Sequence, residues 1–185
     1  MSAPLPEDDI VIEWLQRNAV PIHHLEPGNG FDDLQPLQEF LDGVKVVGLG
    51  EASHGTREFF LLKRRLLEFL VVELGFTIFA IEASHAACQP INDYVLEGTG
   101  DRDAVLIGQG YLAWCMEEFA PLLDWMRDYN QGTPDDCKVE FWGTDITWNA
   151  NGRQAVLALL QRAAPDLLPA AEAAFQVLAD EETRW

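Results

Sequence analysis

Three short apolar runs punctuate this chain of 185 residues. Residues 45–50 read Lys-Val-Val-Gly-Leu-Gly, 77–82 read Thr-Ile-Phe-Ala-Ile-Glu, and 138–143 read Lys-Val-Glu-Phe-Trp-Gly. The first two are near-continuous rather than alternating, the pattern of strands buried on both faces of a parallel sheet. Phe59, Leu62, Leu66, Leu70 and Leu74 recur at steps of three and four and predict a helix over 57–74 with one apolar stripe. Arg57, Glu58, Lys63, Arg64, Arg65, Glu68 and Glu73 occupy much of the remaining circumference. Thr56 suits the N-cap, and Gly75 suits the residue just past the C-terminus. Strand, helix and strand over 45–82 predict a right-handed βαβ unit.

Further helices are expected over 86–96, where Pro90 sets a start or a kink, and over 114–129, with Phe119, Leu122, Leu123 and Met126 facing inward. Residues 130–136 read as a loop. Helices are also expected over 152–163, 165–180, 8–18 and 31–41. The fold class is therefore α/β, a mainly parallel sheet flanked by helices. Three strands are few for so many helices, and the last two helices lead into no strand. Such a sheet leaves edges open, a route to self-association. The expectation is one domain over residues 1–185 that is incomplete and continues past Trp185, with residues 1–8 flexible. A small complete domain is the competing arrangement.

Composition narrows the function classes. A net charge of −19 repels phosphate backbones and anionic bilayers, so neither nucleic acid nor membrane is an expected partner. No apolar run approaches the roughly 20 residues of a membrane helix. The first nine residues lack a basic start and an apolar core, so a secretory signal is not expected and the cytoplasm is the expected compartment. Cys88, Cys115 and Cys137 show no metal-ligand spacing and read as buried free thiols.

Open α/β sheets place their sites outside the carboxyl ends of the strands. Here those ends carry Glu51, Glu82 and Asp145, and two carry a histidine three residues later, His54 and His85. The segment Gly50-Glu-Ala-Ser-His-Gly-Thr56 is the sharpest. A carboxylate beside an imidazole orients it and raises its basicity. His54 can then take a proton from water, and the helix beginning near Thr56 favours developing negative charge. A capped turn with a solvent-facing histidine is the competing arrangement. Glu82, closing an apolar strand, is expected to be partly buried and paired with a base, or else with a helix cation. Asp145 orients the site or caps the next turn, and His85 has the weaker case. His23 and His24 read as surface residues. Trp114, Trp125 and Trp142 read as core, and Trp148 as core or as the wall of an apolar pocket. Gly48-Leu-Gly50 lacks the rest of a dinucleotide or P-loop signature, so no nucleotide cofactor is expected.

The stretch Val47-Gly-Leu-Gly-Glu-Ala-Ser-His-Gly-Thr-Arg-Glu-Phe-Phe60, followed by Leu74-Gly-Phe-Thr-Ile-Phe-Ala-Ile-Glu-Ala83, resembles the erythromycin esterase family. Asn92-Asp-Tyr-Val95, Trp125-Met-Arg-Asp-Tyr-Asn130 and Phe141-Trp-Gly-Thr-Asp145 continue the similarity in order. The resemblance implies an erythromycin-esterase-like or ChaN-like fold and hydrolysis of a carboxylic ester, a macrolide lactone, by histidine-activated water without metal or cofactor. It places the family's histidine on His54, its glutamates on Glu51 and Glu82, and a first-helix cation on Lys63, where the resistance enzymes carry arginine. Arginine and lysine share charge but not the bidentate fork. A second histidine of the family's later half has no match here, and His85 is not its equivalent. The expected partner is a small-molecule ester, with His54 as base, Glu51 as orienter, Glu82 and Lys63 shaping the site, and Asp145 and His85 in support. The alternative is a truncated or divergent member that binds a ligand or partner without catalysis, as haem-binding relatives in the wider superfamily do.

Overall fold

The computed structural model describes residues 6–145 and 150–182. The chain divides into two compact units, Met1–Leu74 and Gly75–Trp185.

The first unit holds α1 (Pro6–Asn18), α2 (Leu37–Leu41) and α3 (Arg57–Leu74). The bounds of α3 match the sequence reading: the Thr56 carbonyl accepts from the Phe59 and Phe60 amides, and Gly75 leaves the helix at φ +71°. Its buried surface differs. Of the expected stripe only Leu70 is buried, while Phe60, Leu61, Leu67, Phe69 and Val71 are buried beside it. A helix covered around most of its circumference needs no single stripe. Arg65 and Glu68, read as part of the polar face, are buried too. The helix expected over 31–41 is reduced to tight turns and the five residues of α2, because Pro36 has no N–H and crowds the turn before it.

Residues 45–50, read as the first strand, carry no strand pairing, and Val46 is 84% exposed. The βαβ unit expected over 45–82 is therefore not formed. Gly48 and Gly50 weaken strand preference, and an apolar segment becomes a parallel strand only with hydrogen-bonded neighbours.

In the second unit β1 (Ile78–Ser84) and β2 (Glu140–Asp145) form a two-stranded parallel sheet. Ile78 pairs with Glu140 and Ile81 with Gly143, and the register slips before Ser84 meets Asp145. Between the strands run α4 (His85–Glu97), α5 (Arg102–Gly108) and α6 (Ala120–Gln131); α7 (Ala150–Ala163) and α8 (Leu168–Glu182) follow. Helix α4 continues through Pro90 from His85. The helix expected from Trp114 begins only at Ala120, where Pro121 supplies a favoured start; Trp114 sits in a separate single turn. Helix α5 was not expected. Its signal is Asp101, whose side chain caps the Ala104 amide at 2.9 Å.

The sheet is buried on one face only, contrary to expectation. Along β1, Phe79 and Ile81 point inward while Ile78, Ala80 and Glu82 are exposed. Phe79, Phe119 and Phe141 pack with ring centroids 5.7–6.3 Å apart, and Trp114 joins Phe119 at 5.5 Å. Trp114 is core as expected, whereas Trp125 is half-buried and stacked on Tyr129. Phe119, Leu122, Leu123 and Met126 are all buried as read.

Two asparagines and a glycine fix this unit. Asn92 accepts from the Phe141 amide at 2.9 Å. Asn130, wholly buried, donates to the carbonyls of Val95 and Val139 and accepts from the Val139 amide, all within 2.8–2.9 Å. Its side chain thus joins the end of α4 to the residue before β2. Asn130→Ala strands three buried backbone groups and is expected to cost at least about 1–3 kcal/mol, read as a lower urea midpoint with unchanged slope. Gly143 lies so close to β1 that a Cβ there would sit 2.4 Å from the Ala83 carbonyl oxygen, so a side chain at this position forces the strands apart.

All three cysteines are free. Only Cys88 is buried, and burial pushes its thiol up to about 11. Cys115 is half-buried and Cys137 exposed, so the expectation of buried thiols fails at Cys137. That residue closes a surface turn (Asp135–Cys137) with no buried residue.

Candidate active site

The turn into α3 assembles the first cluster. Gly55 takes φ +78°, a backbone conformation that a side chain resists. Ser53 and Thr56 close the turn with hydroxyl oxygens 2.5 Å apart. Glu51 is thereby folded back toward the helix, and its two oxygens are used separately. One accepts from His54 Nδ1 and the other from Lys63 Nζ in the second turn of α3.

An ionised carboxylate only accepts, so the shared proton of the His54 contact belongs to Nδ1, and in the neutral ring Nε2 is then the acceptor. The burial of the three side chains is graded: Glu51 is 10% exposed, Lys63 13% and His54 64%. Burial raises the Glu51 carboxyl, but the hydrogen bonds and charges of Lys63 and His54 outweigh it and the net shift is downward. Glu51 therefore stays ionised at neutral pH. Lys63 Nζ also lies 5.8 Å from the Phe60 ring centroid, in a cation–π contact. A largely shielded cation thus fixes a carboxylate, which in turn fixes an exposed imidazole. Such an arrangement can hold a proton acceptor toward water at the positive end of an 18-residue helix.

The remaining candidates belong to the second unit. Glu82 stands on the uncovered face of β1 and is exposed, not partly buried as its apolar neighbours suggested: strand alternation turns it outward. Its backbone carbonyl accepts from Trp114 Nε1 at 3.0 Å. His85 is exposed at the start of α4, its ring 5.1 Å from that of Trp142. Trp142 is 40% exposed rather than core, and its Nε1 donates to Glu140 at 2.7 Å. Asp145 is half-buried at the end of β2, in register with Ser84. Trp148 lies outside the described residues. The structure thus brings Glu51, His54 and Lys63 into contact, and sets Glu82, His85 and Asp145 at the carboxyl end of the sheet. Among the described residues no three His, Cys, Asp or Glu side chains converge as metal ligands, and no helix is long and apolar enough to cross a membrane.

One charged cluster escaped the sequence reading. Arg65, fully buried, donates through Nη1 to the His24 carbonyl at 2.6 Å and to Asp33 at 3.1 Å, and through Nη2 to the Gly30 carbonyl at 2.8 Å and to the other Asp33 oxygen. His23 and His24 are exposed as expected, but their amides also donate to Asp33. The available signal was spacing: Leu61 and Phe69, four residues to either side of Arg65, are apolar and share its line on the helix.

Comparison with known proteins adds an independent finding. A protein-family model described as erythromycin esterase matches residues 71–184, beginning downstream of Lys63. Erythromycin esterase type II of Escherichia coli is 36% identical over 138 residues, 74% of this chain and 32% of that protein. Two solved structures superpose on nearly the whole chain. A succinoglycan biosynthesis protein gives a TM-score of 0.82 at 30% identity, over 96% of this chain and 45% of its own. A Bacillus cereus protein gives 0.80 at 32% identity, over 95% and 42%. The chain spans about a third of the curated relative and under half of the solved chains.

Proposed function

This chain belongs to the erythromycin esterase family, and from that premise we propose that it carries the water-activating part of a carboxylic-ester hydrolase whose substrate is a macrolide lactone. The observation supporting this reading is the Lys63–Glu51–His54 relay, with its largely shielded cation and carboxylate and its exposed imidazole. His54 Nε2 takes a proton from water as the oxygen attacks the lactone carbonyl. Glu51 stabilises the imidazolium that forms. The proton then passes to the departing alkoxide, the ring C–O bond breaks, and a hydroxy acid results. Glu82, Asp145 and His85, at the carboxyl end of the sheet in the second unit, are further candidates for polar roles, on the strength of their strand-end positions. The second histidine implied by the family resemblance would come from polypeptide outside these residues, in keeping with the share of the relatives' length that the chain spans. Macrolide resistance in the cytoplasm is the physiological role the reading implies.

A ligand-binding role without turnover is the rival reading, favoured by the exposure of Glu82 and the uncovered sheet face. Mass spectrometry of erythromycin incubated with the chain separates the two. Hydrolysis yields a product heavier by one water. Binding seen by calorimetry with no such product supports the rival. Glu51→Gln keeps the shape but loses the charge, and is expected to leave activity between that of the wild type and that of a chain lacking the His54 ring. Lys63→Arg preserves the cation and is expected to retain turnover; a loss as deep as that of Glu51→Gln would show that a cation at this position does not support Glu51.

A further inference from the structure

The second unit contains a cleft unrelated to the Glu51 turn. It opens between α5 and the start of α6, with a volume of about 430 Å³, within the roughly 300–1,000 Å³ of small-molecule sites. Leu106, Ile107, Met116, Ala120 and Pro121 form its apolar lining. Leu106 and Ala120 are buried beneath it, whereas Ile107 is 65% exposed on its wall. An exposed isoleucine facing a concave apolar surface gains from any apolar body that covers it, and the Met116 thioether adapts to irregular or aromatic shapes.

The charges at the rim are unbalanced. Arg102 donates to Asp103 and to Asp124, both at 2.7 Å, and Asp124 is shared with Arg127 at 3.8 Å, so the charge of Arg102 is already answered. Glu117 also lines the cleft, is exposed, and has no ion pair among the described residues. The lining therefore carries one cation and two carboxylates, in a chain of net charge −19. An anion is repelled here, and a neutral hydrocarbon leaves Glu117 unanswered. We propose that the α5–α6 cleft is a binding site for an apolar amine, an organic monocation whose hydrocarbon body covers Ile107 and Met116 and whose ammonium group meets Glu117. The site stands apart from ester hydrolysis, and failure of either reading leaves the other untouched.

Cys115 lines the cleft and is half-buried, so its alkylation reports occupancy, while the exposed Cys137 serves as an internal reference. The probe is 4-phenylbutylamine, compared with 4-phenylbutan-1-ol and 4-phenylbutyrate. Iodoacetamide, an uncharged reagent, is followed by peptide mass spectrometry at both thiols. A ligand of this size reaches a Kd on the order of 1 mM. At ten times that concentration the amine is expected to slow alkylation of Cys115 by about tenfold and to leave Cys137 unchanged. The alcohol should protect less and the carboxylate least. Glu117→Gln, at an exposed position, should erase the advantage of the amine over the alcohol. Ile107→Lys, also exposed, should abolish protection by placing a cation at the wall. Unprotected Cys115, equal slowing at both thiols, equal protection by all three compounds, or an amine preference that survives Glu117→Gln would each overturn the assignment.

Discussion

His54→Ala is expected to lower ester turnover by about 10²–10⁴-fold and to leave the fold intact. The imidazole is 64% exposed, and exposed substitutions seldom change stability by more than about 0.5 kcal/mol, so the helical circular dichroism and the urea midpoint should not move. Lys63 and Glu51 remain paired in the variant, because Lys63 donates to a different Glu51 oxygen from the one that holds His54. Activity is then lost through the missing proton acceptor alone. Two controls sharpen the reading. His23→Ala removes another exposed ring whose residue contributes only its amide to Asp33, and should retain activity. Adding Glu51→Gln to His54→Ala should cost little more than His54→Ala alone, because residues that act as one unit are not additive. Full activity in His54→Ala would discard histidine-activated water as the mechanism.

What the sequence disclosed follows from how local each signal is. Helix α3 and the Glu51–His54 turn are legible because their cues lie within a few residues: Thr56 and Gly75 bound the helix, and three-residue spacing brings a carboxylate to an imidazole across one turn. The Lys63 contact with Glu51 spans twelve positions; family resemblance marked the residue, and spacing alone would not have. Residues 45–50 misled for the opposite reason. Hydrophobicity measures a segment's readiness to be a strand, while strandedness is a property of pairs. The same limit explains the half-bare sheet: a run such as Thr77 to Glu82 reads as buried on both sides, but which side is covered depends on elements distant in sequence. Asn92 and Asn130 appear within the quoted motifs, yet their purpose shows only once each is seen bonding backbone across 49 and 9 or 35 positions. Arg65 was misread because a charge on a helix is ordinarily solvated, and its partner lies 32 residues earlier.

That buried arginine sets the second large expectation, one of stability. Arg65→Met keeps most of the apolar stem and removes the guanidinium, and it is expected to cost about 3–5 kcal/mol, the usual penalty for removing one member of a buried ion pair. The loss should appear as a lower urea midpoint. Four hydrogen bonds to three acceptor residues go at once, and the His24 and Gly30 carbonyls and the Asp33 carboxylate are left facing a thioether. The acid side of the stability profile offers an independent check. The Arg65 hydrogen bond, reinforced by the His23 and His24 amides and by the Arg65 charge against a smaller effect of burial, holds the Asp33 carboxyl well below its ordinary 3.8. A carboxyl depressed on folding stabilises fully above its unfolded value, and that contribution fades as pH falls toward the folded one. The gap between wild type and Arg65→Met should therefore be widest near neutrality and narrow as pH drops below 3.8. A gap that is constant with pH would assign the loss to packing of the stem and not to the charge. Because this side chain, together with the Phe31–Phe69 ring contact, ties the stretch from His23 to Asp33 to α3, and α3 also carries Lys63, the variant should lose activity on warming before the wild type does, yet match it at temperatures where both are folded. A deficit that persists there would mean that Arg65 also sets the geometry of the Glu51 turn.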